Sequence, residues 1–242
     1  MRAIQTHQPG HRRGTVRQAL SRHHACGQCL IQCQLGQVAC QQIHWQQADI
    51  TGNALPTNLA STCVNVGNTR AYLRYVSPTQ INAQVPWNVT LGSVAVRVQR
   101  GFLEIPSQSF TLTAVSPGIF TTNQTGSGPA AILHAATFEA VTPANPAVPG
   151  ERLAIFATGL GAVRPAVASG APAPSPAPTT ISSALVNIGG IPAAIEFSGL
   201  APGFVGLYQV NVIVPGGLAS GNQDVQLVIN GTPSNTVTLA IR

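Results

Sequence analysis

Three segments of this chain recur further along it, in the same order. Val64-Asn65-Val66-Gly67-Asn68-Thr69-Arg70-Ala71-Tyr72-Leu73-Arg74-Tyr75 returns without a gap as Val186-Asn187-Ile188-Gly189-Gly190-Ile191-Pro192-Ala193-Ala194-Ile195-Glu196-Phe197. Gln80-Ile81-Asn82-Ala83-Gln84-Val85-Pro86 returns as Gln209-Val210-Asn211-Val212-Ile213-Val214-Pro215. Pro106-Ser107-Gln108-Ser109-Phe110-Thr111-Leu112 returns as Pro233-Ser234-Asn235-Thr236-Val237-Thr238-Leu239. Ordered recurrence means two copies of one structural unit. What recurs is apolar/polar alternation of period two with its turns, the pattern of a strand with one buried face. No catalytic residue type recurs with it, which points to architecture and binding before chemistry.

Room for two domains follows from the 242 residues. Hydrophobic residues make up 44% and charged residues only 7%, so the low-hydrophobicity, high-charge class of disordered chains is excluded for most of the length. With 24 Gly and 19 Pro among many Val, Thr and Ser, short strands and frequent turns are expected. The net charge of +6 is not spread evenly: Arg2, Arg12, Arg13, Arg17 and Arg22 precede any acid. The remainder is close to neutral, so no basic face for nucleic acid is expected. No run is long enough for a transmembrane helix. Gln, His and Arg fill the place of an apolar signal-peptide core, so the chain as given shows no export signal of its own.

Residues 1–43 are rich in Gln, His, Arg and Cys and lack a lasting period, so they read as a poorly ordered or misassigned tail. Residues 44–118 read as the first unit. Val64 and Val66, then Ala71, Leu73 and Tyr75, alternate around the Gly67-Asn68 turn as a hairpin. Further strands are expected at Ile81–Val85, Val94–Val98 and Ser109–Val115. Residues 119–242 read as the second unit. It opens with a connector hairpin through Ala131–Leu133 and Thr137–Val141, followed by a strand at Arg152–Thr158. The Pro-rich stretch 171–178 reads as an exposed, extended strap. Strands at short spacing without helical periods predict an all-β chain of two β-sandwiches.

Tyr75-Val76-Ser77-Pro78-Thr79-Gln80-Ile81-Asn82-Ala83-Gln84-Val85-Pro86-Trp87 resembles the signature of an uncharacterised C-terminal domain family of secreted acidobacterial proteins, the Solibacter type. Ser116-Pro117-Gly118-Ile119-Phe120, Pro149-Gly150-Glu151, Ala157-Thr158-Gly159-Leu160-Gly161 and Gly206-Leu207-Tyr208-Gln209-Val210-Asn211-Val212 continue the resemblance. It spans about residues 44–242. It implies two tandem immunoglobulin-like units similar to IPT/TIG domains, carried on exported or cell-surface proteins, and brings no catalytic or ligand-binding residues with it. The first unit departs from the pattern, because no Pro-Gly entry and opening strand precede Leu55.

The residues offer four candidate chemistries. Cys26, Cys29, Cys33 and Cys40, flanked by His23, His24 and His44, could close a zinc site, since thiolates and imidazoles at such spacing suit tetrahedral Zn²⁺. A single CxxC in such a tail is weaker than a paired set, and the competing reading is a tail without metal. Trp87, Tyr72, Tyr75 and Tyr208 could offer an aromatic platform to a sugar or peptide. The structural alternative puts Tyr75 and Tyr208 in strand-end packing and Trp87 over the seam after Pro86. Gly159-x-Gly161 lacks the third glycine of a dinucleotide loop and reads as a turn. The six acids, Asp49, Glu104, Glu139, Glu151, Glu196 and Asp224, form no close sequence pair and no Gly-x-Ser-x-Gly elbow occurs, so no enzyme is expected. The reading is a non-catalytic module, a spacer, adhesion or interaction element, with protein or surface polysaccharide as partner. A carbohydrate-binding module or a zinc-binding tail is the alternative.

Overall fold

A computed structural model describes residues 25–26, 30–33, 54–77 and 80–242 of the protein. The first unit is built from Ala25–Cys26 (β1), Leu30–Cys33 (β2), Thr62–Val66 (β3), Thr69–Arg70 (β4), Tyr72–Val76 (β5), Ile81–Gln84 (β6), Gly92–Arg100 (β7), Leu103–Glu104 (β8) and Gln108–Thr113 (β9). One sheet runs β1-β9-β7-β3-β4, with β8 on β7, and the other runs β2-β6-β5. Alternation along β3 and β7 turns Val64, Val66, Val96 and Val98 inward, where they meet Leu73, Ile81 and Ala83 of the facing sheet. Cys63, next to Val64 on β3, is buried, and its thiol donates to Gln99 Oε1 at 3.8 Å.

The second unit contains Gly118–Ile119 (β10), Ile132–His134 (β11), Arg152–Thr158 (β12), Val163–Arg164 (β13), Thr179–Thr180 (β14), Ala184–Ile188 (β15), Ile191–Leu200 (β16), Tyr208–Ile213 (β17), Gly221–Ile229 (β18), Thr232–Pro233 (β19) and Val237–Ile241 (β20). Residues 191–193 of β16 pair with β15, and residues 194–200 pair with β17. That strand therefore crosses from one layer to the other. Leu153, Ile155, Val186, Ile188, Val210, Val212, Val225 and Leu227 fill the space between the layers. Burying each such side chain stabilises the fold by roughly 1.5–3 kcal/mol. The fold is all-β, two tandem immunoglobulin-like sandwiches, each with its own core.

The sequence repeat is a repeat of register. In the first unit the β5–β6 pairing slips between Leu73 and Tyr75; in the second the β16–β17 pairing slips between Ile195 and Phe197. Arg74 and Glu196, equivalent in the gapless alignment, are the two bulged residues. Gln80 Nε2 donates to Asn82 Oδ1 at 2.8 Å, and Gln209 Nε2 donates to Asn211 Oδ1 at 2.8 Å. The recurring Gln-x-Asn is thus a polar brace on the same strand of each sandwich.

At the opening of the first unit, β2 pairs antiparallel with β6 from Leu30↔Gln84 to Cys33↔Ile81. This is where the opening strand was expected to be lacking. In the second unit the expected connector hairpin forms, with Leu133 bridging Ala140 and Val141 N–H donating to Ile132 O at 3.0 Å.

Candidate functional site at the seam between the two units

The long connection between β13 and β14 leaves the second unit and reaches the first. Both sides of Gly170 are held there. Its N–H donates to Gln84 Oε1 at 2.6 Å, and its carbonyl accepts from Leu55 N–H at 2.9 Å. One residue earlier, Ser169 Oγ accepts from Trp87 N–H at 2.9 Å. The approach admits no side chain: a Cβ on Gly170 would lie 2.2 Å from Cδ1 of Tyr72, and φ is +80°. Gln84 is 2% exposed, so its amide is withdrawn from water and committed to this contact.

The same connection is tied back to its own unit. Ala173 N–H donates to Phe204 O at 2.9 Å, and Gly203 N–H donates to Ala173 O at 2.8 Å. The Pro-rich stretch is therefore anchored at Ala173, which is buried, and exposed at Pro174–Pro176.

A second contact lies along the chain between the units. Ser116 N–H donates to Gly159 O at 2.9 Å, and a Cβ on Gly161 would lie 2.9 Å from Val115 Cγ1 and 3.2 Å from Ala114 O. Gly159-x-Gly161 lies in the connection from β12 to β13, and the linker passes closely against it. The Gly161 carbonyl accepts the hydroxyl hydrogen bond of Tyr208.

Of the four candidate aromatics, the structure brings Tyr72 and Trp87 to the Ser169–Gly170 seam. Tyr75 lies along the same strand as Tyr72, half-buried opposite Asn82. Tyr208 corrects the platform reading: it is fully buried in the second core, where its hydroxyl needs the Gly161 carbonyl and its ring faces no solvent. Trp87 is half-buried, and its indole Nε1 is enclosed without a hydrogen-bond partner among the described residues. Gln84 was not singled out from the sequence. Only its burial and its long-range partner reveal it, and a Gln on a strand signals neither.

Cys29 and Cys40 lie outside the described residues, as do the side chains of Cys26 and Cys33. The backbone places Cys26 opposite Thr113 in one sheet and Cys33 opposite Ile81 in the other. Among the described residues no group of three His, Cys, Asp or Glu is arranged to hold a metal ion.

One buried histidine–carboxylate pair stands apart from the seam. His134 Nδ1 lies 2.5 Å from Glu151 Oε1, and His134 Nε2 lies 3.2 Å from Asn145 O. Glu151 Oε2 accepts from Val148 N–H at 3.0 Å. Burial alone would lower the His134 pKa. The hydrogen bonds to Glu151 and Asn145 and the charges of Glu151 and Glu139 outweigh it, and the pKa is raised. The cluster fastens the connector hairpin to the start of β12. Arg74, by contrast, has its pKa lowered by desolvation.

No protein-family model and no curated protein matches the chain. Among solved structures it is similar to SGBP-B of the Bacteroides ovatus mixed-linkage glucan utilization locus, in complex with a mixed-linkage heptasaccharide. The identity is 11% and the TM-score 0.32, over 81% of this chain and 46% of that one. It is also similar to domains 5-6 of the S-layer protein SbsC, at 13% identity and a TM-score of 0.33, over 94% of this chain and 96% of that one. The I9-I11 tandem from titin follows at 8% identity and a TM-score of 0.24, over 90% of this chain and 62% of that one. The chain thus spans less than half of the SGBP-B chain. What defines its class is its own strand order and its two cores. No helix among the described residues is long and apolar enough to cross a membrane.

Proposed function

We propose that this chain is a non-catalytic β-sandwich module, a rigid spacer that presents or separates interaction surfaces on an exported or cell-surface protein. The observation that carries the spacer reading is the double hold on Gly170, by Gln84 and by the Leu55 backbone, packed against Tyr72. A flexible tandem would leave such a loop in water, since inter-unit mobility is the default when few contacts cross. Here a buried side-chain amide and three backbone groups are committed to the crossing. The exported setting is supported by the motif resemblance at Tyr75–Trp87 and Gly206–Val212.

Small-angle scattering together with ¹⁵N relaxation of the whole chain tests the spacer. One correlation time for both sandwiches and a single elongated or bent envelope are expected. Independent tumbling of the two units would sink the reading. A glycan array on the same protein, with Trp87→Ala beside it, tests the carbohydrate alternative: saturable binding lost in the variant would replace the spacer with a binding module. Fractionation of cells that make the full-length parent tests the location, and retention in the cytoplasm would refute it.

A further inference from the structure

We propose that Leu30–Cys33 fills, in cis, a strand-accepting slot along β6 that the first sandwich needs occupied, the counterpart of the slot β12 fills in the second. The two units give the comparison. Aligning Gln80–Pro86 with Gln209–Pro215 makes Gln84 equivalent to Ile213 and Ile81 equivalent to Val210. In the second unit Arg152 pairs with Ile213 and Ile155 pairs with Val210. In the first, Leu30 pairs with Gln84 and Cys33 pairs with Ile81. All four positions of β2 therefore fall in the register of Arg152–Ile155, in the same antiparallel sense.

The path into that strand is shared as well. β1 lies parallel to β9, the last strand of its sandwich, with Ala25 opposite Leu112. In the second unit Ala147 lies parallel to β20, opposite Ile241, and the chain then crosses to begin β12 at Arg152. In the first unit β1 likewise belongs to one sheet and β2 to the other. Residues 25–33 share no motif with residues 147–155, so the agreement arises from the slot and not from a copied sequence.

The slot also demands an occupant. Ile81, Asn82, Ala83 and Gln84 are all buried, so β6 is covered on both faces. A strand covered in this way must pair its backbone on both edges, because an unpaired buried N–H or C=O is costly. β5 serves one edge and β2 the other. Leu30-Ile31-Gln32-Cys33 suits the place: it has no proline to break the ladder and no charge to bury.

Hydrogen exchange on the full chain tests the assignment. In an antiparallel sheet alternate residues of β6 direct their N–H groups to opposite neighbours. With β2 in place, both alternate sets of β6 amides are protected. If only one set is slow in the unmodified protein, the assignment fails without any variant. Ile31→Pro and Gln32→Pro, adjacent so that one of them removes an N–H aimed at β6, are expected to speed exchange of the β2-facing set about tenfold or more. The β17 amides of the second unit serve as the internal control and are expected to stay unchanged. Gln32→Val is expected to keep the protection. Equal β6 exchange in all four proteins overturns the proposal. Protection that disappears on dilution, together with a concentration-dependent dimer, overturns the cis assignment in favour of strand exchange between copies.

Discussion

The two sandwiches solve one folding problem with different resources. The second enters its opening strand through Pro149-Gly150-Glu151 and pairs it with β17 over six residues, Arg152 to Ala157. The first pairs over four, Leu30 to Cys33, with a segment that shares none of that motif. Layer crossing differs too. In the second unit one ten-residue strand, β16, passes between layers, whereas in the first the chain divides into β4 and β5 around the fully buried Ala71. Among the described residues the second core holds 25 buried hydrophobic residues and the first 12. Each copy depends on what closes its edge and on how much apolar surface it removes from water.

The largest expected effect falls on the second unit. Ile155, fully buried on β12, loses about 2–5 kcal/mol of packing when cut to Ala. Calorimetry should show the second-unit transition moving down while first-unit amides keep their protection. A shift shared equally by both units would mean that they fold as one body.

Next comes the seam. Gln84→Ala leaves the Gly170 N–H without its acceptor, a loss of about 1–3 kcal/mol. Gly170→Ala forces a Cβ toward the Tyr72 ring at a φ of +80°. Either change is expected to separate the units' rotational correlation times. Unchanged relaxation would show that the linker at Val115–Ser116 suffices to align them.

Acidity should act on the second unit through one group. Folding raises the His134 pKa above its ordinary 6.5. Its contribution is therefore complete below the ordinary value and is lost as pH climbs through the higher folded-state value. Melting of the second unit is expected to fall over that range in wild type and to lose this dependence in His134→Gln. No such imidazole pair occurs among the described residues of the first unit. A wild-type profile with the opposite slope would refute the pairing with Glu151.

The smallest effect is expected at the surface. Arg152 Nε meets Glu196 Oε2 at 2.8 Å, with the Arg side chain 67% exposed. An exposed pair of this kind contributes about 0–1 kcal/mol, less in salt, so Glu196→Ala should barely move the second transition. A larger loss would point to strain at the bulge itself.

Much of this architecture could be read from the chain. The alternation at Val64, Val66, Leu73, Val186 and Ile188 predicts which face is buried, because successive strand residues point to opposite sides. The gapless alignment even carries the bulge, at Arg74 and Glu196, since both units slip at the same place. The candidate site was far less legible. Tyr72 and Trp87 were visible as aromatics, but their meeting with Ser169 and Gly170 depends on a loop about eighty residues away. Tyr208 looked like Tyr72 in sequence, yet Tyr208 is fully buried in the second core, its hydroxyl donating to the Gly161 carbonyl, while Tyr72 is half-buried at the seam.

Local chemistry, then, determined what this chain could settle alone: strand period and turn positions follow from neighbours a few residues apart, and the repeat adds the number of units. Tertiary structure decided which strand closes the first sandwich, where each aromatic ring goes, and that Gln84 holds a loop of the other unit. Those outcomes turn on backbone groups that must find partners once buried, and the partners lie far away in sequence.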